Sequence, residues 1–86
     1  MRRLKEVQKL KDYHKATLDK KVTGLLLRKA ITDSKLTIEK ISINLELSTS
    51  RVIYSWMNGE KLPNLENLVN LSLMLNTKLE DLVAWR

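Results

Sequence analysis

Apolar and polar residues follow a helical period on either side of a short break at Glu46, Leu47 and Ser48. Before the break, Ile38, Ile41 and Leu45 recur at helical spacing. Thr37 stands where an N-cap belongs, and Glu39 lies in the first turn, near the positive end of the helix dipole. After the break, stepping about 100° per residue from Ser50, the polar residues Ser50, Arg51, Tyr54, Ser55 and Asn58 fall within an arc of roughly 140°. Val52, Ile53, Trp56 and Met57 fill the opposite arc. Thr49 is expected to cap this second helix with its hydroxyl. Gly59, followed by Pro63, sits where a left-handed C-cap would end it. The pattern therefore predicts one helix ending near Leu45 and another from about Ser50 to Asn58. With three residues between them the pair must cross steeply, Leu47 plugging the corner, which is a helix-turn-helix.

The rest of the chain is also helical in period. From Arg2 to about Thr17 there is no Gly or Pro, and Leu4, Val7, Leu10, His14 and Leu18 form an irregular apolar stripe. That stripe can pack on its own domain, pack on a second subunit or fray. Asp19 to Gly24 interrupts the pattern, and Thr23 is the expected cap of a helix through Leu26, Leu27, Ala30 and Ile31 to about Ser34. Asn64 is expected to cap another, with Leu65, Leu68, Val69, Ser72 and Leu75 on one face. Thr77 and Glu80 form a capping-box pattern for a last helix carrying Leu79, Leu82 and Val83. No segment calls for a strand. Leu71, Leu73 and Met74 widen the apolar stripe of the penultimate helix, and such excess apolar surface needs cover. A homodimer through the C-terminal helices would provide it; so would the N-terminal helix folding back within one chain.

Composition narrows the function. Eighty-six residues suffice for one domain with a modest core and no large active-site cleft. The division expected is a basic helix or arm over residues 1–22 and a compact domain over 23–86. With no cysteine and one histidine, neither a disulfide framework nor a metal cofactor is expected. No paired carboxylates, nucleophile with base, or phosphate-cradling Gly-rich loop points to an enzyme. No apolar run approaches the roughly 20 residues of a membrane span, and the expectation is a cytoplasmic protein without a membrane partner. Residues 1–35 carry 11 Lys or Arg against 4 acids, net +7, whereas residues 36–86 carry 5 against 6, net −1. A polyanion partner and a merely solvated lysine-rich helix both account for that asymmetry.

The stretch Thr23 to Val83 resembles the lambda-repressor and Cro type of helix-turn-helix domain, the xenobiotic-response-element family. The marks are Leu36-Thr37 opening the second helix, Ile41 and Leu45 within it, Ile53 and Trp56 in the third, Gly59 and Pro63 after it, and the series Leu68, Leu71, Leu75, Leu82. The run from Ile53 to Pro63, Ile-Tyr-x-Trp-x-x-Gly-x-x-Leu-Pro, is most similar to a subgroup from Gram-positive bacteria and their mobile elements. Two positions depart from the family pattern. Ile38 replaces the Gln that often follows the Thr of helix two, and Glu46 replaces a common turn Gly in a turn one residue longer.

The resemblance implies an all-α, five-helix lambda-repressor-like domain, here preceded by an extra N-terminal basic helix. It also implies a sequence-specific double-stranded DNA-binding transcriptional regulator, a repressor that reads the major groove with helix 50–58. Ser50, Arg51 and Ser55 are then base-facing, with Tyr54 and Asn58 beside them. Arg51 is the foremost candidate because a guanidinium can pair with both O6 and N7 of guanine. Phosphate contacts would come from Thr37 and Thr49 at the helix starts and from Lys61, Arg28 and Lys35. The competing reading keeps the scaffold and changes the partner, to a protein-interaction module such as an antitoxin or a phage-type regulator. The single positive charge on the third helix favours that alternative.

Overall fold

The computed structural model describes residues 14–86. Four α-helices follow in order: α1 (Lys20–Ser34), α2 (Ile38–Asn44), α3 (Arg51–Met57) and α4 (Leu65–Met74). A three-residue 3-10 turn, Leu79–Asp81, follows them. The all-α class expected from the periodicity is the class observed, with this turn in place of a fifth helix.

The caps explain most boundaries. Thr37 Oγ1 accepts from the Lys40 amide at 3.1 Å and starts α2; Asn64 Oδ1 accepts from the Asn67 amide at 2.7 Å and starts α4. Gly59, at φ 76°, takes the left-handed conformation that ends α3, its amide bonded to the Trp56 carbonyl. Helix α3 begins one residue later than expected, with Ser50 in the N-cap position but contributing no side-chain cap. Thr49 Oγ1 nevertheless accepts from the Arg51 amide at 3.3 Å, so it satisfies a first-turn donor.

Three expectations are corrected. Helix α1 is capped by Asp19, whose Oδ1 accepts from the Val22 amide at 3.0 Å, rather than by Thr23. Thr23 is 1% exposed and one turn inside the helix, where its Oγ1 accepts from the Ala84 amide at 3.0 Å. The helix expected to end at Thr17 falls largely outside the described residues, and its described part, residues 14–17, is not helical. Thr17 instead exchanges two backbone hydrogen bonds with Arg86, and the Asp19 amide donates to the Ala84 carbonyl. These form a single antiparallel β-bridge between Leu18 and Trp85. The capping box at Thr77 and Glu80 does not form. Thr77 Oγ1 donates to the Leu75 carbonyl, and after one 3-10 turn the chain buries Leu82 completely and leaves to make the bridge.

The core unites Leu27 and Ile31 of α1, Ile41 of α2, Ile53, Trp56 and Met57 of α3, Leu71 of α4, and Leu75 and Leu82 beyond it. Leu47 packs against it from the turn, as its corner position predicts. Helix α4 is rotated relative to the expected face: Leu68, Leu71 and Leu75 point inward, leaving Leu65, Val69 and Leu73 exposed as an i, i+4, i+8 stripe. The reason is that the 3-10 turn docks on α4 and brings Leu82 into the cluster containing Leu71. Among the described residues no buried side-chain nitrogen or oxygen lacks a partner, and the buried Thr23 is satisfied by its bond to Ala84.

Helix α1 lies directly on the end of α3. A Cβ on Gly24 would stand 2.6 Å from the Met57 carbonyl oxygen and 2.7 Å from that of Trp56, both backbone atoms with little freedom to give way. Gly24→Ala is therefore expected to destabilise by about 1–3 kcal/mol through overpacking, read as a lower urea midpoint at unchanged slope. The turn between α2 and α3 holds Glu46 at φ 56°, a left-handed conformation unfavourable for any residue with a Cβ. Glu46→Gly should raise stability by about 0.5–1 kcal/mol, the backbone entropy of glycine offsetting part of the gain, and thermal denaturation would measure it.

Candidate nucleic-acid interface

The two helices of the corner create the site. Burial of Ile53, Trp56 and Met57 fixes the rotation of α3, and with it the outward direction of Arg51, Tyr54 and Asn58. Arg51 and Asn58 are exposed, and Tyr54 retains 45% of its surface. An aromatic ring so open to solvent on the polar side of a helix is available to a partner.

Ser50 and Ser55 are half-buried. The hydroxyl of Ser55 donates to the Val52 carbonyl at 2.6 Å, so its proton is committed within α3 and it can offer outward only an acceptor. The carbonyl of Ser50 accepts from the Ile53 and Tyr54 amides, which ties that residue to the first turn.

Residues from three elements meet around this face. Arg28 and Lys35 of the α1 region, Thr37 at the start of α2 and Tyr54 of α3 line one shallow groove. Lys35 is the α1 C-cap at φ 66°, a position that turns the chain sharply into α2. Arg28 reaches across to α3, its Nη2 donating to Asn58 Oδ1 at 2.9 Å. Lys61 is exposed in the turn after α3, its amide bonded to the Ser55 carbonyl. The ion pairs among the described residues join Lys29 to Asp33 and Arg86 to Asp19, leaving Arg51, Lys35 and Lys61 without an acidic partner there.

Two residues join the site that sequence reading does not nominate. Lys21 Nζ donates to the Asn58 carbonyl at 3.2 Å, placing a cation on the negative end of α3. Thr32 lines the groove between Arg28 and Lys35. The signal for Lys21 is its spacing: with Gly24 and Arg28 it forms an i, i+3, i+7 row on α1, and that row becomes informative only once Gly24 is known to touch α3.

The arrangement suits a long polyanion with readable edges. It presents a narrow polar ridge, α3, between cationic groups on α1 and after α3, and the start of α2 beside them. Arginine, asparagine, tyrosine and threonine provide both hydrogen-bond donors and acceptors along that ridge.

No family model matches the chain, and no curated protein matches it. Among solved structures it is similar to the restriction-modification controller protein C.AhdI from Aeromonas hydrophila, with a TM-score of 0.65 and 22% identity. The superposition covers 74% of this chain and 96% of that one. The chain thus shares the all-helical fold of that controller protein.

Proposed function

We propose that this protein is a sequence-specific, double-stranded DNA-binding transcriptional regulator acting as a repressor, with α3 in the major groove. The observation that carries this reading is the exposed ridge of Arg51, Tyr54 and Asn58 flanked by Arg28, Lys35, Thr37 and Lys61. The likeness to a restriction-modification controller supports a regulatory role. Arg51 makes the principal base contact, Ser50 and Ser55 assist, and Tyr54 meets a thymine methyl or a phosphate. Thr37, Thr49, Arg28, Lys35 and Lys61 hold the sugar-phosphate backbone and set the register of the helix. The basic segment before α1, together with these cations, supplies the salt-dependent share of affinity through counterion release.

The protein acts as a homodimer through α4. Its exposed stripe, Leu65 at 70%, Val69 at 40% and Leu73 at 73%, is the apolar surface that a two-fold partner would cover. A two-fold reader binds a palindromic site with half-sites about one helical turn apart.

Selection from random duplex DNA at fixed salt should return a palindromic consensus; no enrichment over random sequence overturns the reading. Within that consensus, Arg51→Ala should relax the choice at one base pair per half-site, with about 1–3 kcal/mol of discrimination lost. Sedimentation equilibrium should show a concentration-dependent dimer that Leu73→Glu converts to monomer. A wild-type protein that remains monomeric at tens of micromolar excludes the α4 interface.

A further inference from the structure

Asn58 is held by two cations from the same row of α1. Lys21 donates to its main-chain carbonyl at 3.2 Å, and Arg28 Nη2 donates to its side-chain Oδ1 at 2.9 Å. Both residues flank Gly24, three before and four after it, so they lie on the face of α1 that rests on α3. The approach of the two backbones fixes the base of each side chain, and both contacts lie at the exposed edge of that crossing.

The chemistry of the Arg28 contact is one-sided. A guanidinium carries only donors, so the Asn58 atom facing it must be the carbonyl oxygen. The amide NH2 is therefore the end not turned to Arg28, on an exposed residue. An asparagine that reads adenine uses both ends of its amide, accepting from N6 and donating to N7. The Asn58 oxygen keeps a second lone pair beside the Arg28 bond, so what Arg28 fixes is the orientation of the amide, with the NH2 as the end turned to a partner.

We infer that Arg28 is a specificity-determining positioning residue: it holds the Asn58 amide in one orientation, its oxygen on the α1 side and its NH2 directed at an acceptor on the DNA. This inference rests on the DNA-binding reading above and adds the polarity of one of its contacts. The acceptor is a base edge, as at guanine O6 and N7 or thymine O4, or a phosphate oxygen; the two share the chemistry and differ in their dependence on sequence.

The test combines the free protein with a mutant cycle on DNA. In the free protein, the Asn58 side-chain amide resonances should shift in Arg28→Ala and remain near their wild-type positions in Arg28→Lys, which retains a donor. On the selected duplex and its single-base variants, competition binding compares Arg28→Ala, Asn58→Ala and the double variant at one salt concentration. Circular dichroism confirms that each is folded. A base-edge acceptor predicts that Arg28→Ala changes the base preference at one position by about tenfold, that Arg28→Lys does not, and that the effect vanishes when Asn58 is alanine. A phosphate acceptor predicts coupled losses of equal size on every sequence. Independent, multiplicative effects of the two substitutions with unchanged base preference overturn the inference while leaving DNA binding intact. Failure of the wild-type protein to select any duplex overturns the DNA-binding reading itself, and this inference with it.

Discussion

The close crossing of α1 over the end of α3 is the constraint on which the rest of the structure depends. The chain has two glycines, and both are at this junction. Gly24 admits the carbonyl oxygens of Trp56 and Met57, whereas Gly59 takes the left-handed turn beside Lys21, where a Cβ would meet the Lys21 Cα at 2.9 Å. Because backbone meets backbone here, the depth of α3 and its rotation are fixed together. Ile53, Trp56 and Met57 then pack on Leu27 and Ile31, and the polar side of α3 has one direction left to face. The same approach brings Lys21 and Arg28 within hydrogen-bonding distance of Asn58. Core packing and surface geometry are consequences of one contact.

The start of α3 is positioned by other means. Its turn places Glu46 in the left-handed region, and the fold maintains this because Leu45 and Leu47 on either side are both drawn against the core. The Leu47 amide also bonds back to the Ser42 carbonyl, which closes the end of α2. The longer turn then delivers Thr49 and Ser50 in succession, one supplying the hydroxyl and the other occupying the cap position. The register of α3 therefore follows from two anchored leucines and the Gly24 contact, with the cap making a smaller contribution.

What could be read from the sequence divides along a physical line. Thr37, Gly59, Pro63 and Asn64 act within a few residues of where they stand, so the ends of α2, α3 and α4 were legible from local chemistry. Thr23 and Thr77 look like caps by the same local criterion, but their hydroxyls are used otherwise: Thr23 bonds a residue 61 positions away, and Thr77 donates back to Leu75. The same holds for Thr17 and the Asp19 amide, whose bonds go to Arg86 and Ala84 rather than to a continuing helix. On α4 the stripe was wide enough to permit two rotations, and the docking of Leu82 near Leu71 selected between them. At the candidate site, the outward side chains of α3 followed from periodicity alone. The Arg28–Asn58 and Lys21–Asn58 contacts required the helix crossing, which no local pattern encodes.

The placement of charge then follows from the same geometry. Helix α3 carries one cation, Arg51, and residues 36–86 have a net charge of −1, so the element that would read a sequence is poor at attracting a polyanion. Residues 1–13 hold five Lys or Arg against two acids, and this segment enters the described chain at His14. From there residues 17–19 are pinned against 84–86, and α1 begins at Lys20, whose carbonyl lies 3.2 Å from where a Gly59 Cβ would stand. Residues 17–20 thus lie between the C-terminal bridge and the end of α3. On the DNA-binding reading, attraction and discrimination reside on different parts of the chain. Exchanging Arg51 for a neutral residue would then alter sequence choice more than overall affinity, because most of the positive charge lies elsewhere.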